Sequence, residues 1–591
     1  MFEKIKNEPT IFLFRKMWRF SEGNRKKVVL FMVLFLFSNL VGLTEPLILA
    51  KLLNEIQING INSENIKFLM FITSSFLWLG LFFWIFYSSG RTLERKNAFI
   101  VRKNYKEYLL KETLTLNLNW HSNKDSGDTI DKINKSTTKL FDFSSDIANT
   151  IRVAIQIIGI VLILNYFNWI TGIWCLSSLI FLFYVLFQFD KKLILQYKKL
   201  NKYENKIEAK IFDSLSNISS IIILNIKKSV IHSISKSISK PFSLYKQNII
   251  LNLKKWIFGD TFFNLFLIAI PLTFYIFNIY RNSLIIELGT IAALYSYLSR
   301  LENMFFNLSH AYEKIIQQKT AVLNAESIEE SFTENEQVAK KPIENWNKIN
   351  ISNLNFSYQE TQGEIHLDDV NLDLKSGERI ALIGESGSGK TTFLKVLHGL
   401  YDNAQAKIKI NNSQEIKTNF VDLDLKTMLV PQEPELFSSS VRENITFGLD
   451  YTNEEIEKMT KLAEFNDVIE KLPKKLDSII NEKGVNLSGG QKQRLALARA
   501  LIFAQEKNII LLDESTSSVD PETEVKIYQN IFNYFKSKTV IASIHKINLL
   551  KYFDRIIMFQ DGKIIDSGTF DELLEKNEKF KADWEEYIKK L

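Results

Sequence analysis

Cysteine occurs once in the 591 residues, at Cys175, which excludes an intrachain disulfide and any cysteine-cluster metal site. The six histidines are scattered and show no metal-ligand spacing. Proline (9) and glycine (22) are scarce, so a collagen-like chain and a Pro/Gly-rich disordered one are both out of the question. A strong charge of one sign is missing too. The net charge of +7 is the small difference between 74 basic and 67 acidic residues, and it is better read by position than by sum. It gives no ground for a nucleic-acid partner. No cleavable signal peptide is expected, because the first apolar run follows Arg25, Lys26 and Lys27 and is too long for an h-region.

What the chain does have is aromatics (45 Phe, 20 Tyr, 9 Trp) and long uncharged runs. Residues 28–50 carry one charge, Glu45; 68–87, 153–189 and 261–280 carry none; 284–305 is a weaker run. As one helix, 153–189 would be about 55 Å long, nearly twice a hydrocarbon core of about 30 Å. It therefore splits into two spans at Asn165-Tyr-Phe-Asn-Trp169, a polar and aromatic turn suited to the interface. Six spans result, at about 28–50, 67–87, 152–167, 169–189, 258–280 and 284–305. Basic residues cluster before the first span, after the second (Arg91, Arg95, Lys96) and after the fourth (Lys191, Lys192, Lys198), while the alternate loops are poor in them. By the positive-inside rule the N-terminus is cytoplasmic, and so is everything after span six. The expected location is multi-pass in a plasma (inner) membrane.

The inner segments 88–152 and 190–260 are too long for structureless loops, and their charged, periodic sequence reads as helix continuing from the spans into the cytoplasm. Residues 1–325 thus form an all-α transmembrane domain with long cytoplasmic extensions, 326–346 a polar acidic linker, and 347–591 a soluble α/β domain.

The soluble domain carries the chemistry. A short apolar strand, Glu378-Arg-Ile-Ala-Leu-Ile-Gly384, runs into Gly384, Glu385, Ser386, Gly387, Ser388, Gly389, Lys390, Thr391 and Thr392, and an amphipathic helix follows. This is the phosphate-loop pattern in its required context. Glycines let backbone N–H groups close around phosphate oxygens, and the helix N-terminus adds its dipole. Lys390 is placed for the β- and γ-phosphates, and the Thr391 hydroxyl for Mg²⁺. A second apolar strand ends in Asp513 and Glu514. The first acid suits a Mg²⁺ shell, and the second suits orienting and deprotonating a water; without the phosphate loop, a helix N-cap would serve as well. Leu487, Ser488, Gly489, Gly490 and Gln491 precede a helix rich in Ala, Leu and Arg. On physics alone this is a second anion site or a glycine-containing helix start.

With Leu-Ser-Gly-Gly-Gln lying between a phosphate loop and an Asp-Glu strand, the chain resembles the ATP-binding cassette (ABC) proteins, which makes the soluble domain an α/β P-loop NTPase. The resemblance implies further roles, residue by residue. Tyr358 in Phe356-Ser-Tyr358 takes the adenine-stacking place. Gln432 in Val430-Pro-Gln432 takes the Q-loop place, in the catalytic and Mg²⁺ shells. Asp520 ends a D-loop that reads Ser517-Ser-Val-Asp520 instead of the usual Ser-Ala-Leu-Asp, and His545 takes the switch place. Six spans with long inner extensions and a C-terminal cassette resemble an exporter-type half-transporter, with residues 120–128 and 211–218 where exporters carry coupling helices. Asp213 and Asn217 replace the usual Glu and Gly of the second. One cassette per chain implies a dimer, and the intact set of catalytic residues favours a homodimer.

The resemblance therefore implies ATP and Mg²⁺ as cofactors and transport of a hydrophobic or amphipathic substrate (lipid, drug or peptide) by an exporter or flippase. Import through an exporter-like fold is the alternative within transport. A membrane-anchored regulator that only binds nucleotide is disfavoured by Glu514 and His545, and a soluble ATPase acting on nucleic acid by the six spans. Charges in spans point to a pathway. Glu45 lies about 26 Å along its helix from Val28 and is expected near the outer interface, with Pro46 kinking the helix after it. Arg300 and Glu302 are expected near the inner end of a sixth span that faces a wet cavity.

Overall fold

The computed structural model describes residues 8–124, 126–282, 287–334, 341–342, 346–358, 365–401, 403–411, 416–418, 420, 423–424, 426–481, 484 and 486–590. Packing divides the chain into two compact units, Met1–Thr115 with Asp125–Phe332 and Leu116–Lys124 with Thr333–Leu591.

The first unit is helical. In chain order it holds α1 (Pro9–Phe20), α2 (Arg25–Asn59) and α3 (Ile66–Leu114); after α4 (Leu118–Asn123), which groups with the second unit, come α5 (Ser126–Ser144), α6 (Ile147–Phe167) and α7 (Trp169–Ser216). The short α8 (Ile218–Ile223), then α9 (Lys227–Ser239), α10 (Phe242–Phe262), a π-helical stretch Phe263–Ala269, α11 (Ile270–Arg281) and α12 (Leu288–Glu334) complete it. Among the described residues, five helical segments contain a stretch long and apolar enough to cross a membrane: Arg25–Asn59, Ile66–Leu114, Ile147–Phe167, Trp169–Ser216 and Lys227–Arg281.

The expected break in the 153–189 run falls at Asn168. Its side chain accepts from the amides of Ile170 and Thr171, capping α7, while its own N–H closes α6 on the Leu164 carbonyl. The expected helical extensions are present: α3 and α7 continue well past the uncharged runs at 68–87 and 169–189. Helix α12 is not among these five segments, and residues 284–286 of the expected sixth span lie outside the described residues. Helix α12 also runs to Glu334, so the first part of the segment read as linker is helix. Pro46 is taken up inside α2, which continues past it. The π-helical stretch lies just before Pro271, whose ring removes the N–H that would bond the Leu267 carbonyl. Cys175 is buried in α7 among Leu179, Leu182 and Phe263.

Two expectations about charge are corrected. Arg300 and Glu45 form an ion pair at 2.6 Å. One cannot sit near the inner end of its span while the other sits at the outer interface. The cavity beside the pair is lined by residues from Phe76 to Phe83, the middle of the uncharged 68–87 run, so the pair lies inside the span.

The second unit is an α/β cassette. Apart from a two-residue parallel pair, Lys341–Pro342 with Leu423–Asp424, its strands are β1 (Lys348–Phe356), β2 (Leu367–Lys375), β3 (Arg379–Ile383), β4 (Gln405–Ile410), β5 (Ile416–Thr418), β6 (Thr427–Val430), β7 (Ile509–Asp513), β8 (Thr539–Ser543), β9 (Arg555–Gln560) and β10 (Lys563–Gly568). They form a six-stranded sheet in the order β10-β9-β3-β8-β7-β6 and a four-stranded antiparallel sheet in the order β2-β1-β4-β5. In the larger sheet β9, β3, β8, β7 and β6 are parallel. Its near-continuous apolar strands feed two cores by simple alternation. Ile380, Leu382, Ile509, Leu511 and Ile541 pack with α13 (Lys390–Leu397) and the smaller sheet. Ala381, Ile510, Leu512, Val540 and Ala542 pack on the opposite face, against a helical layer. That layer includes α14 (Val441–Thr446), α15 (Asn453–Leu462), α16 (Asn466–Lys471), α17 (Gly489–Phe503), α18 (Pro521–Tyr534) and α19 (Phe570–Lys576), with α20 (Glu578–Lys590) last. The parallel order puts the carboxyl ends of β3, β6, β7 and β8 side by side, the position where α/β sheets hold their ligands.

Candidate nucleotide site

Each of those four strand ends delivers one part of the site. From β3 the chain enters the phosphate loop. Gly384, Gly387 and Gly389 have φ of 146°, 84° and 105°, conformations open to glycine. A Cβ on Gly384 would run into the Phe559 carbonyl, so that position also needs glycine for space. Lys390 opens α13 and is only 4% exposed. Its ammonium donates to the carbonyls of Gly384 (2.8 Å) and Glu385 (3.0 Å), folding over the loop it follows. The Ser388 hydroxyl oxygen is buried without a hydrogen-bond partner among the described residues. A donor left so inside a glycine cradle, beside a buried ammonium, fits phosphate oxygens.

From β7 come the two acids. Asp513 is 2% exposed and accepts from the Thr391 hydroxyl at 2.9 Å. Burial pushes its carboxyl above the usual range; the Thr391 bond opposes this and the Glu514 charge adds to it. Burial pulls Lys390 below the usual amine range, against the upward pull of Glu514 and Asp513. A nucleotide phosphate would relieve the lysine and a divalent cation the aspartate. The Thr391 and Asp513 oxygens are hard donors of the kind Mg²⁺ takes, so the residues present fit both.

Glu514 is held from two sides. Gln432, two residues past β6, donates from Nε2 to Oε2 at 2.7 Å, and His545, past the end of β8, meets Oε1 through Nε2 at 2.5 Å. Glu514 itself has φ +44°, a conformation costly for a non-glycine residue, of order 1–3 kcal/mol. The two partners fix the carboxylate in that strained position. Tyr358, just past β1, reaches Thr392 of the phosphate-loop helix, with its hydroxyl 3.2 Å from Oγ1. Its ring stands edge-on to Phe356, His366 and Tyr401. Glu385 points the other way, to Lys579 of α20 at 2.8 Å. A cavity of about 360 Å³ is lined by residues 384–388, His545 and the start of α20, including Ser386.

The signature residues are not gathered into this cluster. Ser488 caps α17 in a box with Gln491: its hydroxyl accepts from the Gln491 amide at 3.3 Å, and its own N–H donates to the Gln491 side chain at 2.9 Å. Gly489 and Gly490 lie against Ser518 of the D-loop; a Cβ on Gly490 would come within 2.7 Å of the Ser518 carbonyl. Asp520 is the N-cap of α18, accepting from the Thr523 amide at 2.9 Å. Sequence reasoning missed Gln493. Its Nε2 donates to the Ser517 hydroxyl (2.9 Å) and toward the Gln432 carbonyl (3.4 Å), and its Oε1 accepts from the Ser518 amide (2.8 Å). One side chain thus ties Q-loop to D-loop. Its only signal was its place in the first turn after Gln491. Lys546, also unmarked, pairs with Glu524 and donates to the Val519 carbonyl, anchoring the residue after His545 to the D-loop.

The two segments at coupling-helix positions differ. Trp120 lies in α4, capped by Asn117 and grouped with the cassette unit, whereas Asp128 lies in the first turn of α5 in the helical unit, paired with Lys132. Residues 211–218 close α7 and open α8, both in the helical unit.

Residues 28–301 match the model of the ABC transporter transmembrane region, and residues 367–517 the model of the ABC transporter domain; together they account for well over half of the chain. The chain belongs to the ABC transporters. It joins a transmembrane region to an ATP-binding domain in one polypeptide, as an exporter-type half-transporter does, and it is a multi-pass membrane protein. Among its relatives, ABC transporter B family member 21 of Arabidopsis thaliana is 38% identical over 229 residues, 38% of this chain and 17% of that protein. ATP-binding cassette sub-family B member 6 of Xenopus tropicalis is 28% identical over 483 residues, 80% of this chain and 55% of that protein. The chain thus spans less than two thirds of these relatives' length. A solved bacterial Atm1-family ABC exporter with ATP bound shares the fold, with a TM-score of 0.80 at 20% identity, over 95% of this chain and 99% of that one.

Proposed function

We propose that the chain is one half of a homodimeric ATP-driven translocase that moves a hydrophobic or amphipathic molecule across the plasma (inner) membrane, with its N-terminus and cassette in the cytoplasm. The observation that carries this reading is the Gln432–Glu514–His545 cluster beside the Thr391–Asp513 pair, both at adjoining parallel strand ends. A domain built only to bind nucleotide has no use for a strained carboxylate held by an amide and an imidazole.

ATP, when bound, supplies the phosphoanhydride to be cleaved. The 384–392 loop, with Ser388 and Lys390, would cradle its phosphates, and Tyr358 its base. Thr391, Asp513 and Gln432 would hold Mg²⁺. Glu514 would take the proton of the attacking water, with His545 and Gln432 keeping its carboxylate aimed. The signature residues Ser488–Gln491 and Asp520 stand apart from the phosphate loop of their own chain. That supports a closed site completed by a second copy, each signature facing the partner's loop. Mg²⁺-dependent ATP hydrolysis in proteoliposomes, measured with and without a panel of amphipathic compounds and alongside vesicle uptake, tests the reading. No hydrolysis, or hydrolysis that no compound changes and that moves nothing, counts against it.

A further inference from the structure

A cavity of about 470 Å³ lies between α2, α3, α6 and α12, within the size range of small-molecule sites. Phe76, Phe83 and Met304 give it apolar walls, and Glu45, Arg152, Gln156 and Arg300 bring polar groups to it. Its depth follows from the register of α2 on α3. Lys51 sits over the Phe68 ring (5.3 Å) and Phe37 against Phe86 (5.8 Å), so Glu45 stands opposite the middle of an uncharged run. Charged side chains there are costly and mark pathways.

The backbone explains how Arg300 is held. Pro46 has no N–H, so the carbonyl four residues before it, on Gly42, loses its helical donor. Arg300 fills the gap, donating from Nη1 to the Gly42 carbonyl at 2.9 Å, while its Nη2 pairs with Glu45 at 2.6 Å. Tyr297 donates to the next carbonyl, Leu43, at 2.5 Å. One arm of the guanidinium is thus fixed to backbone, and the other rests on a carboxylate that lines the cavity. Arg152 lies over the Tyr87 ring at 5.2 Å and has no ion pair among the described residues. Two cations against one anion leave the lining one positive charge in excess.

We propose that this cavity binds an amphipathic monoanion, a carboxylate or phosphate head with an apolar chain. The head lies between Arg300 and Arg152, the chain lies along Phe76, Phe83 and Met304, and Glu45 gives way to the incoming anion. The proposal rests on the translocase reading and names its cargo class.

The test uses the full chain in phosphatidylcholine nanodiscs, with empty discs as blank. Binding of laurate is compared with that of methyl laurate and dodecyltrimethylammonium by equilibrium dialysis. Laurate should bind at least about tenfold tighter than either. Arg152→Gln and Arg300→Gln should each erase that preference, and Glu45→Gln should strengthen laurate binding by freeing the guanidinium fork. Equal binding of acid, ester and cation, or a Glu45→Gln variant that binds laurate no better, overturns the proposal. If Arg300→Gln does not fold, Arg152→Gln and Glu45→Gln decide the question by themselves. Adding phosphatidylglycerol separates the sources: displacement of laurate marks a lipid headgroup as the occupant, and unchanged binding a single-chain amphiphile, the acid preference holding in both cases. ATP hydrolysis by the unaltered chain in the same discs is scored separately. Hydrolysis without acid preference sinks the cavity assignment alone, whereas absent hydrolysis sinks the translocase reading.

Discussion

The two units solve opposite solvent problems. In the cassette, alternating strand residues are hidden on both faces of the sheet, and polar chemistry is confined to one row of strand ends. In the helical unit, Phe71, Trp78, Phe82 and Trp84 stand at least half exposed, as suits hydrocarbon surroundings, and charge is admitted where a proline breaks the backbone ladder. The comparison teaches where each unit can place function. A sheet offers it at the ends of its strands, and a membrane helix at its defects. The cassette site is rigid because Gln432, His545, Thr391 and Gln493 are each bound to something. The membrane cavity is adaptable because its carboxylate is held by one partner.

Four changes break or sharpen this contrast, the largest effect first. Glu514→Gln should lower ATP turnover about 10²–10⁴-fold while nucleotide affinity stays, the range expected when a general base is lost; single-turnover hydrolysis beside a binding isotherm checks it, and near-normal turnover would assign the base elsewhere. Lys390→Ala should weaken ATP binding by about 10–100-fold, the loss of charge-assisted bonds to phosphate. Wild-type affinity by calorimetry would refute the phosphate-loop assignment. Trp120→Ala with Asp128→Ala joins the two units in one test. ATP binding should persist, while substrate-stimulated hydrolysis and uptake are lost together; unchanged uptake per ATP would make the segment a passive spacer.

The smallest effect is on stability. Burial raises the Asp513 pKa above its unfolded value, so the native state binds more protons, and stability is lost as pH rises through the folded pKa. Asp513→Asn removes that cost while keeping an acceptor for Thr391. In EDTA and without nucleotide it should melt about 2–4 °C higher near neutral pH, the response of a domain of this size to roughly 1 kcal/mol. The gain should vanish near pH 4. A lower melting point at neutral pH would show that the carboxylate is stabilised in the free protein.

The cassette was legible in its sequence because chemistry dictates residue types there: backbone that must approach phosphate needs Gly384 and Gly389, and a cation shell needs Thr391 and Asp513. Gln493 and Lys546 escaped notice because their partners lie far away in sequence, and no local pattern announces them. In the helical unit, hydropathy located the turn at Asn168 and the long extensions but misjudged depth. Counting from Val28 assumed that the span begins with the first apolar residue. Helix α2 begins at Arg25 and runs to Asn59, so the apolar run starts below the level at which α3 loses its charges. The sixth helix was faint for a related reason, since the polar groups that line its cavity dilute its apolar signal.

Cys175 has a practical bearing on all of this. It is the one thiol of the chain and lies closed in a hydrophobic core. A cysteine placed at an exposed position would therefore be the only thiol that a water-soluble maleimide meets, with no need to remove native cysteines first. In a homodimer each such site carries two labels related by symmetry. A spin label on α4 and another on the last turns of α2, near Asn59, would then report, as two distances, whether cassette closure and helix movement happen together.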